Sequence, residues 1–364
     1  MSLQCGIVGL PNVGKSTIFN ALTSNEIAAE NYPFCTIEPN TGIVAVPDGR
    51  LSVLAGISAS AKVIPTTVEF VDIAGLVRGA STGEGLGNKF LAHIREVDAI
   101  AHVVRCFEDE NVIHVDGAVD PLRDVETIET ELGLADLETL EKRLDRAVKG
   151  GKSGDKEMRD LADFFEGLRD HVGDGKPART FPVPDAYETA VRECHLLTAK
   201  PILYVANVDE AGLVSGNETS AALETFAHEQ GAGTVRLCGK IEAELSALDE
   251  EEQTEFLQEL GVAEPGLHRL IHAAYELLSL VTFLTTGPQE TRAWTVRSGT
   301  GAPAAAGTIH SDFESSFIRA EVTGYDAFVE AGSEVEAKAQ AKTRIEGKNY
   351  VIEDGDVVYF RTGS

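Results

Sequence analysis

The feature that most narrows the fold is Gly9-Leu10-Pro11-Asn12-Val13-Gly14-Lys15-Ser16, a complete match to G-x-x-x-x-G-K-[ST]. It follows a short apolar run, Gln4–Val8, and precedes Ile18, Ala21 and Leu22 at helical spacing. Strand, glycine-rich turn and helix start, in that order, are the context in which this pattern has a mechanism. The glycines let backbone N–H groups converge on phosphate oxygens, and the helix N-terminus adds partial positive charge. Lys15 is expected at the β- and γ-phosphates of a nucleotide, and Ser16 at Mg²⁺. Asn12, Val13, Gly14 and Thr17 complete the expected nucleotide-binding turn.

Further apolar runs at Val68–Val71, Ala99–Val104 and Ile202–Ala206 alternate with helical segments, which predicts βαβ units around a mostly parallel sheet. Asp72-Ile73-Ala74-Gly75 closes the first of these runs. An Asp there is placed to hold the Mg²⁺ shell through water, and the Gly75 amide to approach the γ-phosphate and report its loss. Gly79, Gly83, Gly85 and Gly87 follow, a density that suits a switch segment. Between the two motifs lies Tyr32-Pro33-Phe34-Cys35-Thr36-Ile37-Glu38-Pro39-Asn40, in which Thr36 is the candidate second Mg²⁺ ligand.

Between the third and fourth runs the pattern changes. Val125, Ile128, Leu132, Leu137, Leu140, Leu144 and Val148 recur mostly at gaps of three and four, Gly150–Gly154 interrupts them, and Met158, Leu161, Phe165, Leu168 and Val172 resume. This predicts an antiparallel helical hairpin inserted in the α/β domain, as a projecting arm or as two core helices. Lys142 to Arg159 holds seven basic and three acidic residues, a local +4 in a chain of net charge −28. Such a tip is a candidate for a phosphate backbone, and equally an ordinary solvated helix end. After about Ser279, strands are expected at Thr295–Val296, Phe317–Val322, Tyr350–Ile352 and Val357–Phe360, with turns at Glu346–Asn349 and Glu353–Asp356. Thr300–Gly307 reads as a small-residue loop or helix start. That small α+β domain has eight basic and twelve acidic residues, so it is not a basic clamp for RNA.

A surface with 31 Lys+Arg against 59 Asp+Glu disfavours diffuse binding to nucleic acid or anionic lipid. No stretch approaches the roughly 20 apolar residues of a membrane helix. The N-terminal apolar segment lacks a basic leader and a small-residue cleavage site and runs straight into the glycine-rich turn, so it is not read as a signal peptide. Cys5, Cys35, Cys106, Cys194 and Cys238 show no CxxC spacing and read as reduced thiols of a cytoplasmic protein.

Base recognition departs from the guanine pattern Asn-Lys-x-Asp. Strand Ile202–Ala206 leads into Asn207-Val208-Asp209-Glu210, which lacks the Lys and carries Glu for the final Asp. The extra methylene displaces the carboxylate from its bidentate pairing with guanine. Asn207, Val208 and Glu210 are therefore expected around the base, with ATP preferred and GTP accepted more weakly.

Taken together, Gly9–Thr17, Tyr32–Asn40, Asp72–Gly87, Asn207–Glu210 and the tail from Arg292-Ala293-Trp294-Thr295 to Gly355-Asp356-Val357 resemble the YchF/Obg-like ATPases of the TRAFAC GTPase class. The resemblance covers nearly the whole chain. It implies a P-loop G domain over residues 1–278, interrupted by a helical coiled-coil insertion at 122–190, and a TGS domain of β-grasp fold at 279–364. It also implies an ATPase acting on the β–γ phosphoanhydride, and binding to the ribosome or ribosomal RNA through the helical tip and the TGS domain. Leu76 stands where many GTPases carry a water-orienting Gln, and an apolar side chain cannot orient water. Two substitutes match the family: Asn12, as a ligand to K⁺ near the β/γ bridge, and His114, as the group that orients or deprotonates water. Two other readings stand beside this one: a GTPase of ribosome assembly, and a nucleotide-gated interaction module whose hydrolysis is incidental.

Overall fold

The computed structural model describes residues 3–24, 40–73, 75, 86–115, 117–152 and 155–363. Thr36 and Leu76 lie outside the described residues, as do Gly79, Gly83 and Gly85. The chain divides into two compact units, Met1–Gly42 with Glu69–Leu270, and Ile43–Val68 with Ile271–Ser364.

The first unit is built on a six-stranded sheet. Its strands are β1 (Gln4–Val8), β2 (Thr41–Ala45), β4 (Thr67–Asp72), β5 (Ala99–Arg105), β6 (Ile202–Asn207) and β7 (Gly233–Leu237), in the spatial order β2-β4-β1-β5-β6-β7. β1 pairs in parallel with both β4 and β5, β5 with β6, and β6 with β7. Every residue of β5 and β6 is buried, as expected of central parallel strands covered on both faces. From β1 the chain goes out to edge strand β2 and returns through β4 beside β1, after which β5 pairs on the other side of β1. This reversal opens a crevice at the carboxyl ends of the strands, where open α/β sheets bind ligands.

Helices α1 (Lys15–Thr23), α3 (Leu86–Glu96), α4 (Pro121–Gly151), α5 (Lys156–Gly173), α6 (Glu188–Arg192), α7 (Glu210–Ser215), α8 (Glu218–Glu229), α9 (Gly239–Leu245) and α10 (Glu250–Leu260) belong to this unit, and α11 (Gly266–Leu277) leads out of it. The expected hairpin is α4 and α5. Leu140 and Ala147 of α4 bury against Ala162, Phe165, Leu168 and Val172 of α5. Helix α4 runs through Gly150, past the expected break, to Gly151. Its capping is explicit: the Asp120 side chain accepts from Arg123 N, and Pro121 sits in the first turn, where its missing N–H costs nothing. At the midpoint of α4, Asp136 is buried and accepts from Leu197 N, Thr198 N and Thr198 Oγ1.

The second unit carries another six-stranded sheet, ordered β11-β10-β12-β8-β9-β3, from β3 (Val63–Ile64), β8 (Leu280–Thr286), β9 (Thr291–Arg297), β10 (Phe317–Gly324), β11 (Arg344–Glu346) and β12 (Asp356–Thr362). Helices α2 (Gly49–Ser58), α12 (Ala302–Ile309), α13 (Ser311–Ser315), α14 (Tyr325–Ala331) and α15 (Glu334–Ala339) accompany it. Residues 43–68 belong to this unit, whereas the sequence reading divides the chain at 278 alone. The reason is apolar burial and pairing: Leu51 and Leu54 of α2 pack with Leu284, Ala293, Phe328 and Val357, and β3 pairs in parallel with β9. A second difference concerns Tyr350–Ile352, expected as a strand. Only an isolated bridge, Gly301 to Val351, forms there, because Tyr350 O accepts from Ala302 N at the start of α12 and Ile352 turns into the core.

No helix among the described residues is long and apolar enough to cross a membrane.

Candidate nucleotide site

The turn after β1 is shaped by what its glycines admit. A Cβ on Gly9 would lie 2.4 Å from the backbone oxygen of Val103, and one on Gly14 would lie 2.3 Å from Asn207 Nδ2. Gly14 also holds a φ of +98° as the N-cap of α1, and no side chain caps that helix end. The first-turn amides are thus left to an outside acceptor.

Lys15 is buried, and its Nζ donates to Leu10 O at 2.7 Å. Burial pushes its ammonium down to about 8, with the Asp72 carboxylate pulling the other way. Asp72 ends β4 opposite Ile7 of β1, so the sheet register itself brings it to the turn. Its Oδ2 accepts from Ser16 Oγ at 3.4 Å, and its backbone N–H donates to Asn40 O. Burial raises the Asp72 carboxyl above the usual range, while Lys15 and Ser16 hold it down. Gly75 sits beside these groups, since a Cβ there would lie 3.0 Å from Lys15 Nζ. Pro11, Lys15, Ser16, Asp72 and Gly75 therefore converge.

A cleft of about 760 Å³ opens next to this turn. Asn12, Gly14 and Thr17 of the glycine-rich turn line it together with Asn207, Val208 and Glu210, the three residues expected around the base. Asn207 joins the two ends of the site: Nδ2 donates to Val13 O at 2.8 Å and Oδ1 accepts from Gly239 N at 2.9 Å. Asp209 is spent as the N-cap of α7, accepting from Gly212 N, and Glu210 follows in the first turn.

Two walls of the cleft escape the sequence reading. One is Cys238, Gly239, Lys240 and Ile241, the turn from β7 into α9. The other is Phe107, Glu108, Asp109 and Val112, from the segment after β5. The signal for the first was present: the apolar run before Cys238-Gly239-Lys240 repeats the strand-to-helix grammar of the phosphate turn. The second depends on Arg105. This buried guanidinium donates to the carbonyls of Phe107, Asp109 and Val112, and lies 4.6 Å over the Phe107 ring.

The same segment carries the remaining predicted residue. Asn12 Nδ2 donates to Ile113 O at 3.2 Å, which sets His114 one residue from a phosphate-turn contact. The imidazole is buried, with Nε2 2.8 Å from Asp124 Oδ2.

Comparison with known proteins agrees with this layout. Residues 4–135 match a family described as a 50S ribosome-binding GTPase, and residues 280–363 match the C-terminal family of YchF-type GTPases, described as a protein of unknown function (DUF933). The chain is 52% identical over 361 residues to the ribosome-binding ATPase YchF of Haemophilus influenzae, covering 99% of each chain. It is 44% identical to the Obg-like ATPase 1 of Gallus gallus over 99% of this chain and 92% of the other. The solved YchF GTPase of Schizosaccharomyces pombe superposes with a TM-score of 0.88 at 36% identity, covering 99% of this chain and 98% of that one. With a phosphate turn, an inserted helical pair and a C-terminal unit that align end to end with these relatives, the chain belongs to the YchF family.

Proposed function

We propose that this chain is an ATPase that binds ribosomes, hydrolysing the β–γ phosphoanhydride of ATP in preference to GTP. The observation that carries the reading is Asn207. It locks the phosphate turn to a base cleft in which Val208 replaces the Lys of guanine sites and Asp209 is occupied as a helix cap. The relatives named ribosome-binding ATPases supply the ribosome as partner, and that partner makes the cytoplasm the site of action.

The residues fit a divalent cation. Asp72 Oδ1 is buried and accepts no hydrogen bond from any described residue, and Oδ2 lies next to the Ser16 hydroxyl. Ser16 and Thr36 would hold Mg²⁺ directly and Asp72 through water. Bound there, the ion would supply positive charge to offset what builds on the phosphates. Lys15 and the amides of residues 13–17 hold the phosphates, and Gly75 reads the γ-phosphate. His114 orients the water that attacks phosphorus, so that the β–γ bond breaks and ADP and phosphate leave. Asn12 would hold K⁺ through its carboxamide oxygen, and the ion would supply positive charge in the manner of an arginine finger.

The arm tip and the C-terminal unit are the proposed ribosome contacts. At the tip, Lys142 pairs with Glu138, Lys149 with Asp145 and Arg143 with Glu193. The two lysine pairs are largely exposed, so each yields readily to a phosphate.

Single-turnover hydrolysis of ATP with and without K⁺ tests the chemistry. K⁺ is expected to accelerate the wild type, and His114→Ala to slow it without loss of ATP binding. Rates indifferent to both would remove the catalytic scheme.

A further inference from the structure

Strands β8 and β12 lie side by side in the middle of the second sheet. They start out joined: Gly355 N donates to Thr282 O, Thr282 N donates to Asp354 Oδ1, and Val357 pairs in parallel with Leu284. Among the described residues their pairing stops there. Beyond it, β12 stays paired with β10 as far as Thr362, and β8 with β9 as far as Thr286. The sheet splits into two ribbons that part after Leu284 and Val357.

A cavity of about 730 Å³ occupies the split. Trp294, Ile309, Phe313 and Phe360, which edge the apolar core beside α12, line one side of it. Glu321, Glu334, Lys338 and Tyr359 line the other. These are opposite faces of the sheet: Ala320 lies in the apolar core, whereas Glu321, the next residue of β10, pairs with Lys338 of α15 and stands across from Tyr359. A space bounded by both faces passes between the strands.

Main-chain groups alternate along a strand, so the bonds already made fix which ones face this slot. Tyr325 N donates to Gly355 O, which turns Val357 and Tyr359 toward β10 and Val358 and Phe360 toward β8. Gly287 N donates to Glu290 O, which turns Thr285 toward β9 and Thr286 toward β12. The carbonyl of Val358 and both main-chain groups of Thr286 and Phe360 therefore look into the slot. Two such edges facing one another are a template for an extended chain. The charge of the lining selects which chain. Glu290, Glu321 and Glu334 stand against Lys338 alone. Lys338 serves both Glu321 and Glu334, and Arg361 reaches Glu321 from outside the lining. Three carboxylates to one ammonium repel a phosphate backbone and favour basic side chains.

We infer that the slot between β8 and β12 takes an extended basic segment of a partner polypeptide as an added strand. Its alternate side chains meet Trp294 and Phe313 on one face, which suits apolar residues, and Glu321 and Glu334 on the other, which suits lysine or arginine. The slot shares no residue with the nucleotide site, so the inference stands or falls apart from the ATPase reading.

The test uses the full chain and a fluorescein-labelled dodecapeptide of alternating Lys and Val, read by anisotropy. Saturable binding is expected. N-methylation of the valines keeps the charge and removes main-chain donors, and is expected to weaken binding by at least about tenfold. The double variant Glu290→Lys with Glu334→Lys is expected to weaken it by a similar factor while ATP affinity stays unchanged. Hydrogen exchange gives a readout without any variant: the amides of Thr286 and Phe360 are expected to exchange quickly in the free chain and to be protected by the peptide. Equal affinity for the N-methylated peptide overturns the inference. So do amides of Thr286 and Phe360 as protected in the free chain as those within β10, which would mean a closed sheet. Displacement of the peptide by an oligouridylate overturns it in favour of RNA.

Discussion

Asn207 donates to the Val13 carbonyl of the phosphate turn, and the same carboxamide accepts from the amide that opens α9. One side chain, 4% exposed, thus ties the strand that carries the base motif to the turn that carries Lys15. The turn after β1, the end of β6 and the start of α9 are parts of one hydrogen-bonded body.

Replacing Asn207 by Ala breaks both bonds and leaves a buried carbonyl and a buried amide. At about 1 kcal/mol for each bond and more for each group left unpaired, the expected loss is roughly 2–4 kcal/mol. Chemical denaturation measures it. Because the same bonds shape the site, ATP affinity is expected to fall by at least about tenfold in the folded fraction. A variant that is destabilised but binds ATP normally would show that the tie is structural only.

Arg105 makes a separable prediction. Its guanidinium holds the Phe107–Val112 wall of the cleft through the carbonyls of Phe107, Asp109 and Val112. Arg105→Lys loses the planar fork that reaches three carbonyls. ATP affinity is expected to drop by about tenfold, while inorganic tripolyphosphate binds as to the wild type. Calorimetric titration with both ligands checks it; equal losses for the two would deny the wall a role in holding the base.

The Lys15 ammonium is pushed down to about 8 by burial, against an unfolded value of about 10.4. Between those values the unfolded chain holds more protons, so this group makes the ligand-free fold more stable as pH rises from about 8 to about 10.4. A bound triphosphate favours the charged form and reverses the shift. Net proton uptake is therefore expected when ATP binds at pH 8 to 8.5, seen as a binding heat that depends on the ionisation enthalpy of the buffer. Lys15→Met should abolish the uptake. Uptake that persists in this variant would assign it to another group.

Reversing the charge of Lys149, Lys152 and Lys156 to Glu is expected to weaken cosedimentation with ribosomes and to flatten its dependence on salt. Unchanged cosedimentation would exclude the arm tip as a contact.

The phosphate turn, Asp72 and Asn207 are legible because each is a local pattern with a fixed chemical purpose. The two walls at Phe107–Val112 and Cys238–Ile241 are not, because they exist only once β5, β6 and β7 pair in parallel and bring their carboxyl ends together. Leu51, Leu54 and Val63–Ile64 look like a continuation of the first domain. What assigns them elsewhere is pairing with β9 and burial against Phe328 and Val357, contacts some 230 to 300 positions away that no local spacing encodes. Tyr350–Ile352 shows the reverse failure: three β-prone residues whose hydrogen bonds go instead to α12 and a turn. The expectation for His114 rests on the family pattern alone. Its partner Asp124 lies ten positions along the chain, and no spacing marks the pair.

Competition for the cleft is the most direct test. A fluorescent ATP analogue bound in the presence of Mg²⁺ is titrated with unlabelled ATP and with GTP. Displacement by ATP at lower concentration than by GTP is the predicted result. A hundredfold preference for GTP, or no displacement by either, would contradict an adenine-taking site built on Lys15, Asp72 and Asn207.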